Sequence, residues 1–138
     1  MNKYITLSIC FLLIIFAAIY FLPQSPQKAA PLGTDKIREV TLTAKRNQWR
    51  FDPALIEVKK GDRVVATVFN EDDYDHGFAI DEFGISKRLS AKSKIIVEFV
   101  ADKEGDFTFY CSVPCGEGLV DGKKRGHTYM MGTIRVKA

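Results

Sequence analysis

The segment at residues 111–136 reads CSVPCGEGLVDGKKRGHTYMMGTIRV and holds most of the chain's candidate metal ligands. Cys111 and Cys115 are separated by three residues, which allows both sulfurs to face one point, and His127 and Met130 follow them. Thiolate, imidazole and thioether groups are soft-to-borderline ligands that suit copper. The segment therefore predicts a copper site close to the C-terminus.

The chain's other histidine, His76, ends a polar and acidic stretch that begins at Glu71. This stretch and residues 111–131 lack a strand pattern, and long irregular loops in compact domains are usually functional. Two thiolates can bridge two copper ions, and one histidine can then complete each copper. The thioether of Met130 and a backbone carbonyl between the cysteines, with Val113 as the central candidate, would finish the set.

The rest of the C-terminal part has the pattern of short strands. Val40, Leu42 and Ala44 alternate with threonines, which is the period of a half-buried strand. Further strands are predicted at residues 55–58, 63–69, 95–100, 107–110 and 132–136. Short strands at this spacing, separated by polar turns, predict an all-β sandwich or barrel. No helical periodicity is visible after Leu22.

The N-terminus has a different composition. Tyr4 to Leu22 is almost wholly apolar and uncharged, and as a helix it would reach roughly 28 Å, close to the thickness of a bilayer core. We predict a transmembrane anchor at residues 1–22, a flexible linker at 23–34 and a folded domain at 35–138 on the outer face. A cleaved signal peptide and a lipidated Cys10 are the alternatives.

The charge of the chain is modest. Its net charge is +3, and the basic residues are scattered without a basic helix, so no nucleic-acid partner is expected. Neither histidine lies in a hydrolytic motif, and we expect no independent catalysis.

The ligand pattern resembles a known family. Cys111-x3-Cys115-Gly, followed by His127-x2-Met130, is similar to the CuA loop of cytochrome c oxidase subunit II. The resemblance extends over about residues 40–136. Three further stretches carry it: Phe51-Asp52-Pro53, His76-Gly77-Phe78 and Gly132-Thr133-Ile134-Arg135-Val136.

The resemblance implies a cupredoxin Greek-key β-sandwich on the outer, periplasmic face of the plasma membrane. It implies electron transfer through two copper ions, as in the subunit that receives electrons in a haem–copper oxidase of the respiratory chain. A donor such as cytochrome c and oxidase subunit I would be the partners. The implied copper ligands are His76, Cys111, the Val113 carbonyl, Cys115, His127 and Met130.

Three departures from that family keep other functions open. Residues 119–126 are eight extra residues before the histidine, Val113 stands where the family often has glutamate, and one membrane span is predicted where many members have two. A membrane-anchored protein that stores or delivers copper, and a mononuclear cupredoxin electron carrier, are the alternatives. A Cys111–Cys115 disulfide with a purely structural His76 is the plainest one.

Some residues have two interpretations. Trp49 is either a core aromatic or the aromatic through which the family receives electrons. Met131 is either a core residue or a substitute for Met130. The acidic residues of the His76 stretch form either a solvated loop or a docking patch for a basic donor: Glu71, Asp72, Asp73 and Asp75.

Overall fold

The computed structural model describes residues 36–138, which are all-β apart from two 3₁₀ turns at Asp81–Phe83 and His127–Tyr129. The strands are β1 (Ile37–Ala44), β2 (Phe51–Asp52), β3 (Leu55–Lys59), β4 (Arg63–Asn70), β5 (His76–Ile80), β6 (Ile85–Leu89), β7 (Lys94–Val100), β8 (Gly105–Tyr110), β9 (Glu117–Val120), β10 (Lys123–Gly126) and β11 (Met131–Lys137). The prediction of an all-β domain is confirmed. Within the described range no helix has the length and apolar character to cross a bilayer. The predicted anchor and linker lie outside it.

Two sheets form the sandwich. One has the strand order β2-β1-β4-β7 and the other the order β3-β11-β8-β5-β6, while β9 and β10 form a separate hairpin. β1 pairs in parallel with β4, and β3 pairs in parallel with β11. The first and last strands of the domain are thereby incorporated within sheets.

The strands form where the sequence alternates. In β4 the side chains of Val64, Ala66 and Val68 are buried, and the residues between them are exposed or half-buried. Phe51, from the first sheet, packs against Phe78 and Phe109 of the second, with ring centroids 5.5 and 5.8 Å apart. These three aromatic rings join the two sheets in the core beneath the candidate site.

Two predictions about the irregular segments are wrong. His76 is the first residue of β5 and not a loop residue. The strand was overlooked because all five of its residues are buried, so that no alternation of polar and apolar residues marks it. All of the eight-residue excursion lies in the β9–β10 hairpin, whose strands are joined by Asp121-Gly122. An Asp-Gly dipeptide between two short strands is a strong hairpin signal that the analysis of the sequence overlooked.

Candidate metal centre

The end of β8 and the start of β11 bring Cys111 and Met130 together. These two strands are antiparallel, with Tyr110 opposite Met131, and the Cys111 backbone N–H donates to the Met130 carbonyl at 2.9 Å. The loop after Cys111 returns Cys115, whose Sγ lies 3.6 Å from Cys111 Sγ and 3.6 Å from Met130 Sδ. Both cysteines are buried free thiols.

The two methionines differ sharply in environment. Met130 is 1% exposed and its sulfur faces the thiols, whereas Met131 is 52% exposed on the outer side of β11. Consecutive residues of a strand point to opposite faces, so only one of the pair can face the site. A core role for Met131 is therefore wrong.

His76 reaches the thiols because β5 lies beside β8. The Gly77 N–H donates to Cys111 Sγ at 3.3 Å, and His76 Nδ1 lies 3.8 Å from the same sulfur. A Cβ at Gly77 would be 2.7 Å from the backbone nitrogen of Ser112, which is closer than real side chains approach. Glycine at this position therefore permits the contact between the two strands. The ligand atoms of His76, Cys111 and Cys115 all lie within 4.8 Å of one another.

A buried carboxylate orients His76. Asp72 is fully buried, and its Oδ2 accepts a hydrogen bond from His76 Nε2 at 2.7 Å, while its Oδ1 accepts one from the Asn47 backbone N–H at 2.7 Å. Because a carboxylate only accepts, Nε2 of the imidazole carries a proton, and Nδ1 is the ring nitrogen that faces Cys111. Carboxylate–histidine pairs of this kind fix the tautomer of metal-binding histidines. The sequence analysis missed this role for Asp72.

The two remaining predicted ligands have different positions. The Val113 carbonyl oxygen lies 3.2 Å from Cys111 Sγ, within the cluster. His127 begins a 3₁₀ turn, its backbone N–H donates to the Gly116 carbonyl at 3.1 Å, and it is not a member of the compact His76–Cys111–Cys115 group. Its Nδ1 is buried without a hydrogen-bond partner. An unsatisfied buried nitrogen is costly, and a bound metal ion would satisfy it.

The thiol pair is electrostatically unequal. The hydrogen bond with Cys115 lowers the pKa of Cys111 against the opposing effect of burial, and contacts with His76 and Gly77 lower it further. The same hydrogen bond raises the pKa of Cys115. Burial by itself lowers the pKa of His76, but the contacts with Cys111 and Asp72 outweigh it and raise it. Ionisation of Cys111 is therefore favoured over ionisation of Cys115.

Trp49 connects the site with the hairpin. Its indole N–H donates to the Cys115 carbonyl at 3.1 Å. A Cβ at Gly118 would be 2.7 Å from Cζ3 of the indole, so β9 can lie against the ring only with glycine there. Tyr74 packs between Trp49 and His76, at centroid distances of 6.4 and 5.2 Å. Burial raises the pKa of Tyr74 to about 12. Trp49 is thus a buried aromatic in direct contact with the candidate site.

The acidic stretch before His76 is neutralised within the chain. Glu71 pairs with Lys45 at 2.7 Å, Asp73 pairs with Arg46 and Lys92, and Asp75 pairs with Arg88. Asp72, the fourth acid, is buried against His76. The loop is therefore solvent-accessible at Glu71, Asp73 and Asp75 and buried at Asp72, and the pairing leaves little free negative charge for a basic donor.

The donor set fits copper. Two thiols, an imidazole nitrogen, a thioether and a backbone carbonyl converge in a buried position, and such soft ligands select copper over harder ions. The partnerless nitrogen of His127, which lies outside the compact group, is a further candidate donor.

Comparison with known proteins agrees with this fold. The family of cupredoxin-like domains matches residues 11–120. The nitrous-oxide reductase of Stutzerimonas stutzeri is 41% identical over 61 residues, which are 42% of this chain and 10% of that protein. That of Ralstonia nicotianae is 30% identical over 95 residues, which are 67% of this chain and 14% of that protein. The chain thus spans about a tenth to a seventh of these relatives.

Solved structures share the fold at low identity. The periplasmic domain of cytochrome oxidase subunit II of Bradyrhizobium japonicum has a TM-score of 0.57 at 21% identity, covering 72% of this chain and 83% of that chain. Auracyanin A, a blue copper protein of Chloroflexus aurantiacus, has a TM-score of 0.59 at 15% identity, covering 73% and 99%. The metal-binding domain of the Cu(I)-exporting P-type ATPase of Streptococcus pneumoniae D39 scores 0.59 at 17% identity, covering 76% and 90%.

Proposed function

The chain belongs to the family of cupredoxin-like domains, and from this premise we propose that it transfers electrons through a dinuclear, thiolate-bridged copper centre of the CuA type. The sequence resemblance to oxidase subunit II and the matches to nitrous-oxide reductases support this function. We expect no catalysis by the isolated chain.

One observation carries the proposal. Two thiols lie 3.6 Å apart, with a histidine nitrogen and a backbone carbonyl beside Cys111 and a thioether beside Cys115. Cys111 and Cys115 would bridge two copper ions, His76 and His127 would each complete one, and the Val113 carbonyl and Met130 would be weak ligands. Copper bound to such a set supplies reversible one-electron transfer.

The residues around the ligands hold them in place. Asp72 fixes the imidazole of His76, and the Gly77 N–H fixes the Cys111 sulfur. Trp49 fixes the Cys115 carbonyl. Because these supports are buried and hydrogen-bonded, the ligands can keep one geometry in both oxidation states. That rigidity suits electron transfer, since little reorganisation accompanies the change of charge.

Copper content and electron paramagnetic resonance of the full chain test the proposal. We expect two copper ions per chain, a purple colour and a multi-line signal from one unpaired electron shared by two metals. Met131→Leu is the matched control, because its side chain is exposed and should change none of these properties. One copper at saturation with a four-line signal would contradict the dinuclear centre.

His127→Ala provides the sharper test of the second copper. Since Nδ1 of His127 makes no hydrogen bond, its removal should leave the stability of the metal-free chain nearly unchanged. Copper binding should fall from two ions to one, and the multi-line signal should be lost. Two retained copper ions, or a large loss of metal-free stability, would assign His127 a structural role.

A single Cu(I) site is the second candidate. The compact group contains His76, Cys111 and Cys115 but not His127, and these ligands with Met130 suit one Cu(I) ion. A protein that stores or delivers copper would then bind one colourless ion without a paramagnetic signal. The copper count and spectrum separate this function from the dinuclear one.

Membrane attachment and partners are part of the proposal. We propose that residues 1–22 anchor the chain in the plasma membrane with the domain outside, that a protein such as cytochrome c donates electrons, and that oxidase subunit I accepts them. Alkaline carbonate extraction of membranes tests the anchor, because an integral protein stays in the pellet. Stopped-flow oxidation of reduced cytochrome c by the copper-loaded chain tests the donor.

A further inference from the structure

The hairpin β9–β10 encloses a groove beside the candidate metal centre. Trp49 and Val120 lie in this groove, which we call the arginine groove. Its complete lining is Gln48, Trp49, Arg50, Val120, Asp121, Arg125 and Tyr129. Trp49 donates a hydrogen bond to the carbonyl of Cys115, which is a predicted copper ligand. A partner bound in the groove would therefore contact a residue that itself contacts the predicted copper site.

The arginines of the groove lack carboxylate partners. In the described part of the chain neither Arg50 nor Arg125 forms an ion pair, whereas the neighbouring Lys124 pairs with Glu117 at 2.7 Å. Arg125 lies over the ring of Tyr129 at 5.0 Å, a contact that leaves its guanidinium N–H groups available. Asp121, also unpaired, offsets one of the two charges.

Apolar surface adjoins these charges. Tyr129, which lines the groove together with Val120, is 52% exposed. Protein interfaces combine exposed apolar and aromatic side chains with polar and charged groups at the rim, and arginine and tyrosine are enriched in them. The acids of the loop at residues 71–75 are paired or buried, so they do not cancel the positive charge of the groove.

We propose, resting on the electron-transfer function above, that the arginine groove docks a redox protein whose contact surface carries carboxylates. Guanidinium groups bind carboxylates in two-pronged geometry, and Arg50 and Arg125 provide two such groups in the lining of the groove. Most of the hairpin is the eight-residue excursion, so this partner preference is a property of the present chain and not of the ligand motif.

Binding of hexaglutamate to the metal-free full chain tests the groove directly. Trp49 is the single tryptophan of the chain and lines the groove, so its fluorescence reports binding there. We expect saturable binding at low salt that weakens as salt is raised, since screening acts over about 10 Å at 0.1 M. Absence of saturable binding at low salt would overturn the proposal.

Charge-reversal variants separate this groove from general attraction. Arg50→Glu changes the charge by two units, and at about 6 Å in water this should weaken binding about tenfold. Lys59→Glu is the matched control. Lys59 lies opposite Lys137 in the pairing of β3 with β11, and Lys137 is six residues along β11 from Met131. Lys59 is therefore about 20 Å from the end of the domain that carries the site. We expect less than a twofold change there. Equal weakening by both substitutions would overturn the proposal.

A redox measurement completes the test. The reduced, copper-loaded chain should give one electron to hexacyanoferrate(III), forming hexacyanoferrate(II), and Arg50→Glu should slow this reaction while Lys59→Glu should not. An equal rate in both variants would argue against the groove. Copper count and spectrum decide the proposed function independently, because hexaglutamate binding requires no metal.

Discussion

Replacing Asp72 by asparagine should weaken the centre although this residue is not a predicted ligand. Each carboxylate oxygen of Asp72 accepts one hydrogen bond at 2.7 Å, a buried one from His76 and a partly buried one from the Asn47 backbone. An amide of the same shape has one accepting oxygen and one donating nitrogen. It can therefore satisfy only one donor, and the other faces an NH₂ group.

The expected loss follows from that mismatch. A buried donor without a partner costs about 1–3 kcal/mol, so Asp72→Asn should lower the free energy of unfolding of the metal-free chain by about 2 kcal/mol. Urea denaturation followed by Trp49 fluorescence measures this loss. Groups that hydrogen-bond to metal-binding histidines typically contribute about 10–100-fold to metal affinity, and copper affinity should fall by a similar factor.

A neighbouring acid supplies the control. Asp73 is 61% exposed at its side chain and pairs with Arg46 on the surface, where such pairs contribute about 0–1 kcal/mol. Asp73→Asn should therefore change neither stability nor copper affinity appreciably. If Asp72→Asn and Asp73→Asn behaved alike in both measurements, the carboxylate would not orient His76 and our reasoning would be wrong.

Three further predictions concern the thioether, the hairpin and acid. Met130→Leu should retain copper and change the reduction potential, because a thioether is a weak ligand, and Met131→Leu should do neither; a larger effect of Met131 would reverse the assignment. Gly118→Ala should destabilise the metal-free chain by about 1–3 kcal/mol in urea denaturation, since its Cβ would overlap the indole ring, and an unchanged midpoint would contradict that contact. The hydrogen bond from Lys45 lowers the pKa of Glu71, so the stabilising effect of this bond is present above the ordinary glutamate pKa and is lost as pH falls below about 4. Glu71→Gln should therefore flatten the acid limb of a profile of stability against pH. An acid limb identical to that of the unmodified chain would refute this prediction.

The strands were predictable because their side chains alternate. Leu42 and Ala44 of β1 and Val64 and Val68 of β4 face the core, and both strands were located from the sequence. β5 was not, because a strand buried on both faces has no polar positions to give it a period. His76 was consequently placed in a loop although it lies on the most buried strand of its sheet.

The ligand types were predictable and their supports were not. Cysteine, histidine and methionine have few common uses, so their spacing alone indicated a metal site. Asp72 is one of four acids in five residues, and nothing in the sequence separates it from its neighbours. Burial of this carboxylate is favourable because the fold brings both the Asn47 N–H and the His76 ring to it.

The eight-residue excursion is compatible with the ligand motif because the hairpin closes on itself. Its last residue, Gly126, pairs with Glu117 at its base, and the His127 N–H donates to the Gly116 carbonyl at 3.1 Å. Gly116 and His127 are therefore neighbours in space although ten residues separate them in sequence. Extending a loop from about three to about eleven residues costs on the order of 1 kcal/mol, far below the roughly 10 kcal/mol that metal binding contributes at structural sites. The length of the hairpin therefore does not change the separation in space between Gly116 and His127. The hairpin can vary to suit a partner while the predicted copper ligands keep their positions.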